Sequence, residues 1–168
     1  SNHKITGIDN LNDYYSVILK KKRLSVLKKS KKFNFLKIDI NKKKNVESLF
    51  RTHKFDIVFN LAAQAGVRYS IDNPAAFVDN NISGFYNILD ASIKFKVKKL
   101  LYASSSSVYG DSTNFPLKED QKVAPKNIYG LSKKINEEIS QVMSLYNDIQ
   151  LIGLRFFTVY GEWGRPDM

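Results

Sequence analysis

Tyr129 and Lys133, in "YGLSK", stand four residues apart, so on a helix they share one face. A phenol with an ordinary pKa near ~10 is a poor base at neutral pH. An ammonium one turn away favours the phenolate and brings that pKa toward the working range. The chemistry this suits is proton transfer to and from a hydroxyl. Taken alone the pair is common, and it describes the start of a surface helix equally well. About twenty residues earlier, "YASSSSVYG" (102 to 110) lines up serines at the end of an apolar run. They read either as a polar turn that satisfies strand-end backbone groups or as hydroxyls that relay protons to the tyrosine. The second reading needs a parallel sheet, because such sheets keep their chemistry at the carboxyl edge.

The rest of the chain supplies one. "KITGIDN" (4 to 10), "FNFLKIDI" (33 to 40), "FDIVFNLAA" (55 to 63), "VKKLLYASS" (97 to 105) and "IQLIGLRFFTVYG" (149 to 161) read as strands. The run at 55 to 63 is continuously apolar, as in strands covered on both faces. Between the strands lie helical patterns: 14 to 27 with Val17, Leu24 and Leu27 inward, and 45 to 53 with Asn45 as its cap. A long helix follows from Pro74 to Phe95, with Ile82, Phe85, Ile88 and Leu89 on one stripe. The last helix, 129 to 146, is expected to face inward with Ile135, Ile139, Val142 and Met143. Alternating strands and helices predict a Rossmann-like α/β fold, a parallel sheet with helices on both faces. The chain opens on what reads as the second strand of a dinucleotide-binding sheet, and its eight glycines form no glycine-rich turn, so either the fold is not a dinucleotide-binding one or its first βα unit is absent from this chain.

Composition narrows the alternatives. The chain has 168 residues, 43% hydrophobic and 26% charged, values of a globular domain. Without cysteine, no disulfide, thiolate zinc site or thiol nucleophile can form. His3 and His53 have no further ligand-type residue at useful spacing, and no metal site is expected. The net charge of +11 is concentrated: residues 20 to 44 hold 12 of the 27 lysines and arginines and one of the 16 acids. Such a block is a solvated face rather than a nucleic-acid cleft, which would interleave charge with aromatics. No apolar run approaches the ~20 residues of a membrane span and no signal-peptide pattern opens the chain, so a cytoplasmic protein is expected.

The strings "GIDNLNDYY", "NLAAQAGVRYSIDNP", "DNNISGFYNILDA", "YASSSSVYG", "YGLSKK" and "LRFFTVYGEWGRPDM" resemble, in order, the extended short-chain dehydrogenase/reductase family and its nucleotide-sugar epimerases and dehydratases. "NLNDYY", "AAQAGVRYS" and "FFTVYGEWGRPDM" are most similar to the branch that acts on UDP-glucuronate at C4. By that resemblance residues 1–168 are a partial NAD-binding domain, without the first βα unit and the substrate domain. Asp9 and Asn10 would hold the adenosine ribose of NAD, an acid there accepting from ribose hydroxyls and repelling the NADP phosphate. Asp39 and Ile40 would flank the adenine, Leu61, Ala62, Ala63 and Gln64 would line the cofactor, and Asn80 and Phe157 would contact it. A strand-end cap is the alternative for each.

Ser105, four before Tyr109, takes the position of the family's catalytic hydroxyl, with Tyr129 as base and Lys133 on the nicotinamide ribose. Ser106, Ser107, Thr158, Arg68 and Arg165 would meet substrate, although Arg68 could equally pair with Asp72 and Arg165 with Asp167. The resemblance implies NAD-dependent 4-epimerisation of UDP-glucuronate to UDP-galacturonate through a 4-keto sugar, for surface polysaccharide. Other readings are a decarboxylase, a UDP-glucose-type 4-epimerase, or an inactive nucleotide-binding fragment. A homodimer through the tyrosine helix is an expectation, as is inactivity of the 168 residues by themselves.

Overall fold

A computed structural model describes residues 3–164. All pairing among its strands is parallel. β1 (Ile5–Asp9) is followed by α1 (Val17–Leu27), β2 (Phe33–Lys37), α2 (Lys43–Thr52) and β3 (Ile57–Asn60). Two short helices, α3 (Tyr69–Asp72) and α4 (Pro74–Phe77), lead through a π-turn at Val78–Ser83 into α5 (Gly84–Lys94). β4 (Lys99–Ser105) ends in a 3₁₀ turn at Ser106–Tyr109, and α6 (Ile128–Ser144) returns the chain to β5 (Gln150–Phe156). This is the expected Rossmann-like α/β architecture, and it is divided. β1 pairs with β2, β3–β4–β5 form a second sheet, and β1 does not pair with β3.

Between β1 and β3 runs a groove of about 820 Å³, lined by both strands and floored by Leu49, Phe50 and Ile88 from α2 and α5. In a doubly wound sheet with strand order 3-2-1-4-5-6, that groove is the place of strand 1. β3 departs from the sequence expectation. Instead of being covered on both faces, it leaves Phe59 63% exposed, and Ile57 and Leu61 are exposed too.

The core lies between α2, α5 and the strands, with Val46, Phe50, Phe85, Leu89, Val97 and Leu100 at its centre. Phe85, Ile88 and Leu89 are buried as their spacing predicts, but the long helix is interrupted, because the π-turn inserts an extra residue in the middle of it. Three further expectations are corrected. α2 begins at Lys43, so Asn45 lies in its first turn rather than at its cap. α1 buries only Lys20 and leaves Leu27 exposed. Most informative, α6 buries Gly130, Ser132, Lys133, Asn136 and Ser140, whereas Val142 is exposed. Ile139 and Met143 do pack on the core. That stripe packs against β4, the 3₁₀ turn and the π-turn, where Ser132 meets Asn81 and Lys133 the Ala103 carbonyl.

Candidate active site

The carboxyl end of β4 and the first turns of α6 are brought together by local sequence. Asn127 caps α6, its side chain accepting from the Gly130 amide at 2.8 Å. Gly130 lets the helix approach the serine turn, since a Cβ there would stand 2.6 Å from the Ser107 carbonyl oxygen. Ser105 caps the 3₁₀ turn by accepting from the Ser107 amide at 3.2 Å. That is the turn-capping role read as the alternative; among the described residues no direct Ser105–Tyr129 hydrogen bond forms. Ser105 is nevertheless buried, and Ser106 and Ser107 lie half-buried in the turn beside it.

Tyr129 is half-buried, its ring edge-on to Phe77 with centroids 6.1 Å apart. Lys133, one turn on, is 3% exposed and donates to the Ala103 carbonyl at 2.8 Å, with its Nζ 6.0 Å from the Tyr129 ring centroid. Burial lowers the Lys133 ammonium to about 8, because a buried cation loses hydration. A buried ammonium whose pKa lies near the working pH, behind a phenol, is an arrangement suited to proton transfer.

A second region gathers the residues assigned to the cofactor. At the carboxyl ends of β1, β2 and β3 lies a cavity of about 290 Å³, lined by Asp9, Asn10, Ile40, Leu61, Ala62, Ala63, Gln64 and Asn80. Of the residues assigned to the cofactor alone, Phe157 lies exposed beyond β5, and Asp39 too stands outside the lining. Its carboxylate accepts from the Asn41 amide at 2.9 Å and from Asn10 at 3.4 Å, so it shapes the loop, and Ile38 takes the adjoining wall. Asp9 accepts from the Leu11 amide at 2.6 Å. Asn80 donates to the Ala76 carbonyl and accepts from Asn41. The donor set fits a nucleoside: a carboxylate and an amide for hydroxyls, isoleucines for a flat base, and a small-residue backbone for close approach.

Sequence reasoning missed four residues of these sites. Asn81, beside the expected Asn80, is fully buried and grips both backbone groups of Gln64 at 2.7 and 3.0 Å while donating to Ser132 at 3.0 Å. It thereby ties the cofactor-side loop to α6, and the π-turn is what turns it inward. Lys20, within a run of surface lysines, is buried and donates to Asn12 at 2.6 and 2.8 Å; burial lowers its pKa against the raising effect of Asp9 and Asp13. Its signal was a place three residues after Val17, on the inner face of α1. Glu137 and Arg155 are the other two. A charged residue inside an apolar strand, as in "GLRFF", must find a buried partner.

The substrate-side assignments do not converge. Arg68 is exposed at the start of α3, and no Arg68–Asp72 ion pair forms among the described residues. Thr158 is exposed beyond β5. Arg165 lies outside the described residues. Among these, no group of three His, Asp or Glu side chains could hold a metal ion, and no helix is long and apolar enough to cross a membrane.

The whole chain, residues 1–168, matches the NAD dependent epimerase/dehydratase family, and it belongs to that family. It is 46% identical over 167 residues to Protein CapI of Staphylococcus aureus, covering 99% of this chain and 50% of that protein. It is 44% identical to a UDP-glucuronate 4-epimerase of Thermodesulfobacterium geofontis, covering 98% of this chain and 51% of the relative. Among solved structures it resembles UDP-glucuronic acid 4-epimerase from Bacillus cereus in complex with UDP-glucuronic acid and NAD. There the TM-score is 0.89 at 33% identity, over 97% of this chain and 51% of that one. The chain thus spans about half the length of the relatives it matches.

Proposed function

We propose that residues 1–168 are the partial NAD-binding and catalytic domain of a nucleotide-sugar 4-epimerase, with UDP-glucuronate and UDP-galacturonate as substrate and product. The observation that carries this reading is that α6 packs on the end of β4 with Lys133 behind the Tyr129 ring and bonded to the Ala103 carbonyl, two residues before Ser105. NAD, when bound, supplies a reversible hydride acceptor for the sugar C4. Asp9 and Asn10 would hold its adenosine ribose, Ile40 and the Leu61–Gln64 backbone would flank it, and Asn80 would fix the facing wall.

Tyr129 takes the proton of the C4 hydroxyl and later returns it to the same oxygen, the 4-keto sugar having meanwhile turned so that C4 is reduced again on its opposite face. Lys133 stabilises the phenolate that forms in between. Ser105 gives the sugar oxygen a second hydrogen-bond partner once its cap on the 3₁₀ turn yields. Because the hydride goes back to the same carbon, no net redox change results. A cytoplasmic location, a role in surface polysaccharide and a homodimer belong to the same reading.

The test is to incubate the complete protein carrying this chain with NAD and, separately, UDP-glucuronate or UDP-glucose, and to resolve the products. UDP-galacturonate is expected, with Tyr129→Phe slowing turnover by about 10²- to 10⁴-fold, the size of a lost acid–base group. A UDP-pentose product would make the enzyme a decarboxylase, and turnover of UDP-glucose alone would move the substrate to neutral sugars. NAD binding without turnover would leave an inactive nucleotide-binding fragment.

A further inference from the structure

Glu137 extends the Tyr129–Lys133 face of α6 by one more turn, four residues beyond the lysine. Its carboxylate meets the sheet at two residues that are direct register partners, Ser104 on β4 and Arg155 on β5. Glu137 Oε1 accepts from Ser104 Oγ at 2.5 Å and from Arg155 Nε at 3.0 Å, and Oε2 accepts from Arg155 Nη2 at 2.9 Å. The pair is mostly covered, with side-chain exposures of 18% and 19%. The remaining donor, Nη1, reaches the Tyr109 hydroxyl at 3.1 Å and the Glu119 carbonyl at 3.0 Å, and the guanidinium lies 4.9 Å from the Tyr109 ring centroid. One planar group therefore joins the tyrosine-bearing helix, the end of the serine turn and the loop beyond it.

We propose that Glu137 and Arg155 are positioning residues that set the height of α6 against β4 and β5, and so aim Tyr129 and Lys133 at the Ser105 end of the strand. The inference rests on the catalytic reading of Tyr129. Stability alone does not account for the pair, because a covered ion pair is often no better for folding than well-packed apolar groups of similar volume. What an apolar pair cannot do is fix direction. A fork-to-fork carboxylate–guanidinium contact defines both distance and angle, and lysine cannot reproduce it. Ser104 adds a third fixed bond from the residue directly before Ser105, so helix and serine share one reference point.

The test compares three forms of the complete protein: wild type, Glu137→Gln, and the apolar pair Glu137→Met with Arg155→Leu. Each is measured for melting temperature, NAD affinity, kcat and KM, and for the titration midpoint of the Lys133 ammonium by NMR. We expect the apolar pair to recover the wild-type melting temperature while kcat stays roughly 10- to 100-fold down, the effect of a misplacement near 1 Å, with KM and NAD affinity little changed. Glu137→Gln should lower kcat in the same sense. In both variants the Lys133 midpoint should move from about 8 toward its ordinary value, as the helix lifts from the Ala103 carbonyl. Wild-type kcat in the apolar pair, or a kcat that follows melting temperature across the set, would overturn the proposal. If the apolar pair does not fold, Glu137→Gln decides by the same readouts. If the wild type proves inactive, the functional reading fails, and an unmoved Lys133 midpoint in the variants would separately overturn the positioning role.

Discussion

β4 and β3 are neighbouring strands with similar apolar sequences and different surroundings. β4 is paired on both sides, and its Leu100 is fully buried. β3 has β4 on one side and the open groove on the other, and Phe59, one residue past Leu100's register partner Val58, is mostly exposed. Leu100 and its register partner Val58 pack on the core while Phe59 points to the other face, so the difference lies in the neighbours: hydrophobicity says which side chains seek cover, and the sheet decides which of them find it. The same contrast separates the two candidate sites. The Tyr129–Lys133 pair lies on α6 against the continuous β3–β4–β5 sheet, while the cavity proposed for the cofactor lies at the carboxyl ends of β1, β2 and β3, across the two sheets.

The largest effect should come from breaking the well-packed side. Leu100→Ala is expected to cost about 2–5 kcal/mol, the range for a truncated core leucine. Phe59→Ala should stay within about 0.5 kcal/mol, as for a surface site. Urea unfolding of the two variants measures both, and equal losses would mean that the groove is closed in solution.

Lys133 sharpens the comparison from the electrostatic side. Burial holds its ammonium at about 8, against 10.5 for an ordinary lysine. Between those values the unfolded chain binds the proton that the folded chain has lost, so this group makes stability rise with pH. Below about 8 the folded protein carries the full cost of the buried charge. Lys133→Met should therefore stabilise the fold at pH 7 by on the order of 3 kcal/mol, less about 1 kcal/mol for the lost hydrogen bond to Ala103. The advantage should vanish near the ordinary lysine pKa. Unfolding curves at pH 7 and pH 10 give the answer; an advantage that does not change with pH would place the charge in solvent.

Ser105 caps the 3₁₀ turn and is proposed as a hydrogen-bond partner of the sugar oxygen. In the complete enzyme Ser105→Ala should lower turnover by roughly 10²-fold. Steady-state kinetics with full activity in that variant would leave only the cap. The smallest expected effect is that of Asn127→Ala, about 1 kcal/mol for a lost N-cap. Asn127→Asp should restore most of it, and thermal melts of the two variants compare them directly.

Alternation of apolar strands with helical stripes was legible in the sequence because it depends on local periodicity: five strands, the Phe85–Ile88–Leu89 stripe and the Asp9 strand end all follow from spacing. So was the Tyr129–Lys133 pair, since four residues on a helix always make one face. What spacing could not give was which face of α6 turns inward. Ile139 and Met143 pack on the core as their positions promised, but Val142 is exposed and Gly130, Ser132 and Asn136 are buried, because α6 also packs against the serine turn and the π-turn. The roles of Asn81, Lys20, Glu137 and Arg155 were hidden for the same reason. Each is an ordinary polar residue in sequence, and it becomes structural only when a residue 8 to 51 positions away stands within hydrogen-bond reach. The sequence by itself determined the elements and the chemistry of single side chains, which are local properties. Tertiary structure alone decided which were buried and which met, because burial and hydrogen bonding depend on neighbours brought from elsewhere in the chain.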